Sequence, residues 1–160
     1  MRSGATLEAL RQRLLDVTQL HNKLILLVGG SAQDRAALLR ALHDTGVSEP
    51  LHLGVALAGP LAELPHRERN LQAGSLLRAA AQEHAATGPL LIEGVELLFD
   101  SSLRLNALDL LRRQAQARPV VAVWPGEWRD GRLIYAVPGH PEYQDQGADG
   151  ATIFEIHQGE

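Results

Sequence analysis

Hydrophobic positions along this chain switch repeatedly between helical and strand spacing. Leu7, Leu10, Leu14 and Val17 step by three and four residues with Arg11, Arg13 and Asp16 elsewhere, and Thr6 stands where a hydroxyl caps a helix start. This predicts an amphipathic lead-in helix within residues 1–22, broken at His21-Asn22. Leu24 to Val28 is an apolar run too short for a helix and reads as a buried strand. Gly29-Gly30 punctuates it, and Leu38, Leu39, Ala41 and Leu42 then predict a helix from about Asp34 to His43, ending near Gly46. Leu51, Leu53, Val55 and Leu57 alternate with His52, Gly54 and Ala56, which predicts a strand entering a turn at Gly59-Pro60.

The polar stretch Pro65 to Asn70 leads into a long helix through Leu71, Leu76, Leu77 and Ala80, with Arg67, Arg69 and Arg78 on its exposed side. Gly88-Pro89 opens a strand from Leu90 that ends in the acid Glu93. Leu103, Leu105, Leu108, Leu110 and Leu111 predict a helix carrying Arg104, Arg112, Arg113 and Arg118, and Val120 to Trp124 a further strand. Asp130-Gly131 marks a turn before a strand over 133–137, and 153–156 is the last strand. Alternating strands and helices predict an α/β fold in three layers, a mostly parallel sheet with helices on both faces and an antiparallel edge at its end. One domain over 1–160 is expected, with an N-terminal helix in 1–22 and an acidic C-terminal segment, 145–160.

The strand, glycine turn and helix around residue 29 have the outline of a phosphate-binding loop, G-x-x-x-x-G-K-[ST], in which backbone N–H groups cradle phosphates, Lys adds charge and the hydroxyl holds Mg²⁺. Set on Gly29, Gly30 and Ser31, that pattern puts Asp34 at the second glycine, Arg35 at the lysine and Ala36 at the hydroxyl. Asp34 is expected to cap the helix, with its carboxylate where a phosphate would lie. Two such charges ~5 Å apart at an effective dielectric of ~20 repel by roughly 3 kcal/mol. Arg35 is expected to pair with Asp34 or to stand in for the lysine, and Ala36 cannot touch a metal. Glu93 falls where the carboxylate of a second nucleotide motif would approach Mg²⁺, and Glu96 where an acid could activate water. The expected outcome is no catalytic residue, with Glu93 and Glu96 the candidates if the site is active, Glu93 the candidate metal ligand, and ATP or ADP with Mg²⁺ bound weakly if at all.

The chain has 45% hydrophobic residues, enough for a sizeable core, and a net charge of -4 from 15 basic and 19 acidic residues. That balance argues against a surface wholly devoted to nucleic acid. After Arg132 there is no Lys or Arg, while Glu142, Asp145, Asp149, Glu155 and Glu160 follow. There is no cysteine, hence no disulfide, thiol nucleophile or thiolate metal site. No apolar run reaches the length of a membrane span, so no membrane partner and a cytoplasmic location are expected. In the stretch from Tyr135 to Tyr143, His140, Glu142 and Tyr143 sit on a proline-fixed loop suited to an interaction rather than to metal binding.

With these segments set out, the chain resembles BrxF, the small P-loop protein of certain BREX bacteriophage-defence systems. The resemblance is most specific in "LIYAVPGHPEY" from Leu133 to Tyr143, supported by "LLLVGGSAQDRAALLRAL", "LLIEGVELLFD" and "VVAVWPG", and covers roughly residues 5 to 145. It implies a P-loop NTPase-like fold and a place in phage defence, with other BREX proteins as partners; the lead-in helix over 7–20 and the rings that P-loop relatives build lead to an expected homo-oligomer, with Arg112 and Arg113 as candidates for its interface. Family members carry an intact phosphate loop, from which this chain departs at Asp34, Arg35, Ala36 and Glu93. An accessory or assembly protein that does not hydrolyse ATP is therefore expected. The alternatives are a nucleotide switch or weak ATPase using Arg35, Glu93 and Glu96, and a DNA-contacting subunit using Arg67, Arg69, Arg104, Arg112 and Arg113. DNA is expected to bind only weakly or through partners.

Overall fold

The computed structural model describes residues 2–156. Its elements in chain order are α1 (Arg2–Val17), β1 (Leu24–Gly29), α2 (Ala32–Asp44), β2 (Leu51–His52), α3 (Leu53–Ala62), α4 (His66–His84), β3 (Leu90–Glu93), α5 (Ala107–Gln114), β4 (Val120–Val123), β5 (Glu127–Arg129), β6 (Arg132–Tyr135), β7 (Gln144–Gln146) and β8 (Ala151–Ile156). Short 3₁₀ turns at Val95–Phe99 and Ser101–Leu103 join β3 to α5. Five strands form one sheet in the order β2-β3-β4-β1-β8.

β1 is apolar at every position because both of its faces are covered. Leu24, Leu26 and Val28 belong to the core under α3, α4 and α5, whereas Ile25 and Leu27 belong to the core under α1 and α2. The result is a three-layer α/β architecture. Leu10, Leu14 and Val17 of α1 meet Leu38, Leu39 and Leu42 of α2 there, so the lead-in helix is part of the core. Among the described residues, no helix is long and apolar enough to cross a membrane.

Two expectations are corrected. The strand over 51–57 stops after His52, and α3 begins at Leu53. Leu53, Leu57 and Leu61 share a helical stripe and are buried, while Val55, which a strand would have turned inward with them, is 79% exposed. His52 fixes the switch because its Nδ1 accepts from the Val55 N–H at 3.2 Å and caps the helix. Gly59-Pro60 consequently lies inside α3 instead of turning the chain.

The second correction concerns the sheet's edge. β8 pairs with β1 in parallel from Leu24↔Ala151 to Gly29↔Ile156, and all pairings in the five-stranded sheet are parallel. A parallel return needs a long crossover, and the chain from β4 to β8 supplies one. That crossover folds as a separate antiparallel sheet, β5-β6-β7, which contains the strand expected at 133–137. Asp130 (φ 54) and Gly131 (φ 74) make its hairpin turn, as the Asp-Gly pair predicts. The small sheet is anchored by buried Leu133, by the Trp124 indole donating to the Ile134 carbonyl at 3.1 Å, and by Tyr135 stacked on Phe99 at 4.6 Å. Residues 157–160, and Glu160 of the acidic segment with them, lie outside the described residues, as does Met1.

Candidate functional site

The loop between β1 and α2 is short. Gly29 and Gly30 both take left-handed backbone (φ 78 and 59), Ser31 caps the helix, and α2 begins at Ala32. Ser31 Oγ accepts from the Asp34 N–H at 3.0 Å, and the Asp34 carboxylate accepts from the Ser31 N–H at 2.9 Å. Asp34 is thus the third helical residue of a reciprocal cap and not the cap itself, which corrects the expectation. The Ser-x-x-acid spacing from Ser31 to Asp34 carries that signal in the sequence. The carboxylate does lie at the helix N-terminus, where an anion would bind, and it uses a loop N–H directly.

Arg35 turns inward. The residue is 6% exposed, and its guanidinium donates through Nη1 to the carbonyls of Gly29 at 2.8 Å and Gly30 at 3.3 Å, while Nε has no partner. Burial lowers its pKa from the ordinary arginine value, opposed by the nearby charge of Asp34. Two successive glycine carbonyls therefore converge on a cation of the chain's own. A phosphate cradle needs the opposite, N–H groups converging on an outside anion. The expected ion pair of Arg35 with Asp34 is replaced by these carbonyl contacts.

Ala36 is exposed on α2. Glu93 is half-buried at the carboxyl end of β3, with β4 between it and β1, about 10 Å away at ~4.8 Å per strand. Glu96 is exposed in the 3₁₀ turn. No group of three or more His, Asp or Glu side chains suited to a metal occurs among the described residues. β8 and Asp34 pack tightly on the two glycines, since a Cβ on Gly29 would meet the Ile156 carbonyl at 2.5 Å and one on Gly30 the Asp34 carboxylate at 3.0 Å. At the lysine position of a phosphate loop stands an inward-turned arginine, and at the hydroxyl position an alanine.

The remaining candidates separate. Arg112 donates to the Asp149 carbonyl and lies 3.9 Å from the Asp109 carboxylate, which Arg113 reaches at 2.7 Å. Arg69 is turned onto the carbonyl of Leu64. Arg67, Arg104 and Arg113 line two adjoining grooves beside α4, which Arg78 joins. In the 135–143 loop, His140 Nδ1 accepts from the Glu142 N–H at 3.0 Å, and the Tyr143 hydroxyl donates to Asp145 at 3.2 Å. Burial raises the Tyr135 pKa, helped by the negative charges of Glu142 and Glu96, so the fold brings these distant acids to one phenol. Sequence reasoning did not single out Asn70 for a role. Its amide donates to the Leu103 and Arg104 carbonyls at 2.8 and 2.7 Å, and an isolated Asn in a helix gives no signal of that. Comparison with family models, curated proteins and solved structures finds no match to this chain.

Proposed function

We propose that this chain is a P-loop-type α/β protein that has given up nucleotide chemistry and serves as an accessory or assembly component of a BREX phage-defence system, working through contacts with its own copies and with other BREX proteins. One observation carries the loss of chemistry: the β1–α2 loop spends the Ser31 N–H on Asp34 and the Gly29 and Gly30 carbonyls on Arg35. A glycine turn leading from a buried parallel strand into a helix supports the P-loop ancestry, together with an acid at the carboxyl end of β3. The likeness of the 133–143 segment to BrxF supports the pathway.

Phage plating on cells carrying a complete BREX gene set tests this. Removing the chain should abolish protection, and a chain bearing both Glu93→Gln and Glu96→Gln should restore it as well as the parent does. Loss of protection with those two substitutions in a stably expressed chain would overturn the non-hydrolysing role.

A further inference from the structure

The flank of α4 beside its buried Ala73, Leu77 and Ala81 stripe meets α5 and the 101–106 turn in two adjoining grooves of about 390 and 830 Å³, which share Asn70, Leu71 and Arg104. Arg67, Leu71, Gly74 and Arg78 recur along α4 at spacings of four, three and four, so one face of the helix forms the wall. Arg104 stands where the grooves join, in left-handed backbone (φ 52) that a non-glycine residue seldom adopts. Asn70 holds it there through the two carbonyls it bonds. Strain of this kind, maintained by a neighbouring side chain, marks a position where geometry is being kept.

The charge along this path is lopsided. The side chains of Arg67, Arg78 and Arg104 are exposed and make no hydrogen bond or ion pair among the described residues. Arg113 is 69% exposed and shares Asp109, the one carboxylate lining either groove. We propose that this groove binds the phosphodiester backbone of a nucleic-acid strand through Arg67, Arg78, Arg104 and Arg113. The inference goes beyond the function proposed above and does not rest on the β1–α2 loop.

A guanidinium fork matches a phosphate's paired oxygens. Arg67 and Arg78 are about 16 Å apart along the helix axis, at ~1.5 Å per residue. That spans roughly five nucleotides at ~3.4 Å each. A polymer with a charge on every unit meets the arginines in any register, whereas an acidic peptide would need acids at one matching spacing. No Phe, Tyr or Trp lines either groove and His66 is the one ring in their linings, so there is no row of stacking platforms and binding is chiefly to the backbone, without strong sequence preference.

Fluorescence anisotropy of the full chain with labelled single-stranded DNA, duplex DNA and RNA over a salt series tests this. For single strands, log affinity should fall against log salt with a slope of about -3, as four contacts at ~0.7 each require. Arg67→Glu and Arg78→Glu should each weaken binding at least ~10-fold. Arg67→Gln with Arg78→Gln should flatten the slope by about 1.4 while circular dichroism stays unchanged. The three probes distinguish a strand from a duplex and DNA from RNA. No binding to any of them at low salt, or binding untouched by the charge reversals, would overturn the proposal. So would binding of polyglutamate in their place, which would assign the groove to an acidic protein.

Discussion

Ser31 and Asp34 satisfy each other: the hydroxyl of one accepts the backbone N–H of the other, and the carboxylate returns the bond, at 3.0 and 2.9 Å. A ligand phosphate at this helix start would have to displace the Asp34 carboxylate to reach the Ser31 N–H. Each half of such a cap is worth ~1 kcal/mol. Ser31→Ala and Asp34→Ala should each lower unfolding stability in urea by about that amount, and the double variant by less than their sum, because the two residues act as one unit. Strict additivity would show that the cap is not reciprocal in solution.

Arg35 should matter more. Arg35→Ala leaves the Gly29 and Gly30 carbonyls facing a buried gap, at a cost of roughly 3 kcal/mol, read as a shift in the urea midpoint. Arg35→Lys keeps the charge but not the fork and should fall between. A neutral Arg35→Ala would mean that the guanidinium points outward, free for a ligand.

Phe99 joins the two sheets, with its ring 5.3 Å from Trp124 and 4.6 Å from Tyr135. It is 2% exposed, so Phe99→Ala should cost about 3–5 kcal/mol and change the fluorescence of Trp124. Tyr135→Phe keeps the ring and should be near neutral. A small effect of Phe99→Ala would show that the small sheet is held by its crossover alone.

Both tyrosines of the chain have raised pKa values, Tyr135 by burial with Glu142 and Glu96 adding to it, Tyr143 by desolvation and its bond to Asp145. A tyrosinate absorbance titration of the folded chain should therefore have its midpoint above 10.0, and the urea-unfolded chain close to it. The sign follows from proton binding. The folded state holds these protons more tightly, so their contribution is whole below the unfolded value and is lost as pH rises through the folded ones. Coincident titrations of the two states would contradict the contacts at Tyr135 and Tyr143.

The buried strands were legible because β1, β3 and β4 are apolar on both faces and bounded by glycine or proline signals, and the Asp130-Gly131 turn was legible because its backbone needs those residues. The 51–57 segment misled because leucines two apart are also leucines four apart, and only the cap at His52 decides between the periods. The parallel β8 was hidden because strand direction depends on what the crossover does in space. At the site, the misplaced Asp34 could be read in one dimension. The inward turn of Arg35 could not, since nothing in sequence distinguishes a guanidinium on carbonyls from one in solvent. The groove arginines come from two helices and a turn, and only packing unites them.

Calorimetric titration of the purified chain with ATP and with ADP, each with and without Mg²⁺, tests the filled loop most directly. The expected result is no saturable heat under any of the four conditions, in the parent and in Asp34→Gly alike, because Arg35 still holds the Gly29 and Gly30 carbonyls after the carboxylate is gone. A saturable one-to-one heat with Mg²⁺-ATP that strengthens in Asp34→Gly and disappears in Arg35→Ala would show that the loop still holds nucleotide, and would contradict it.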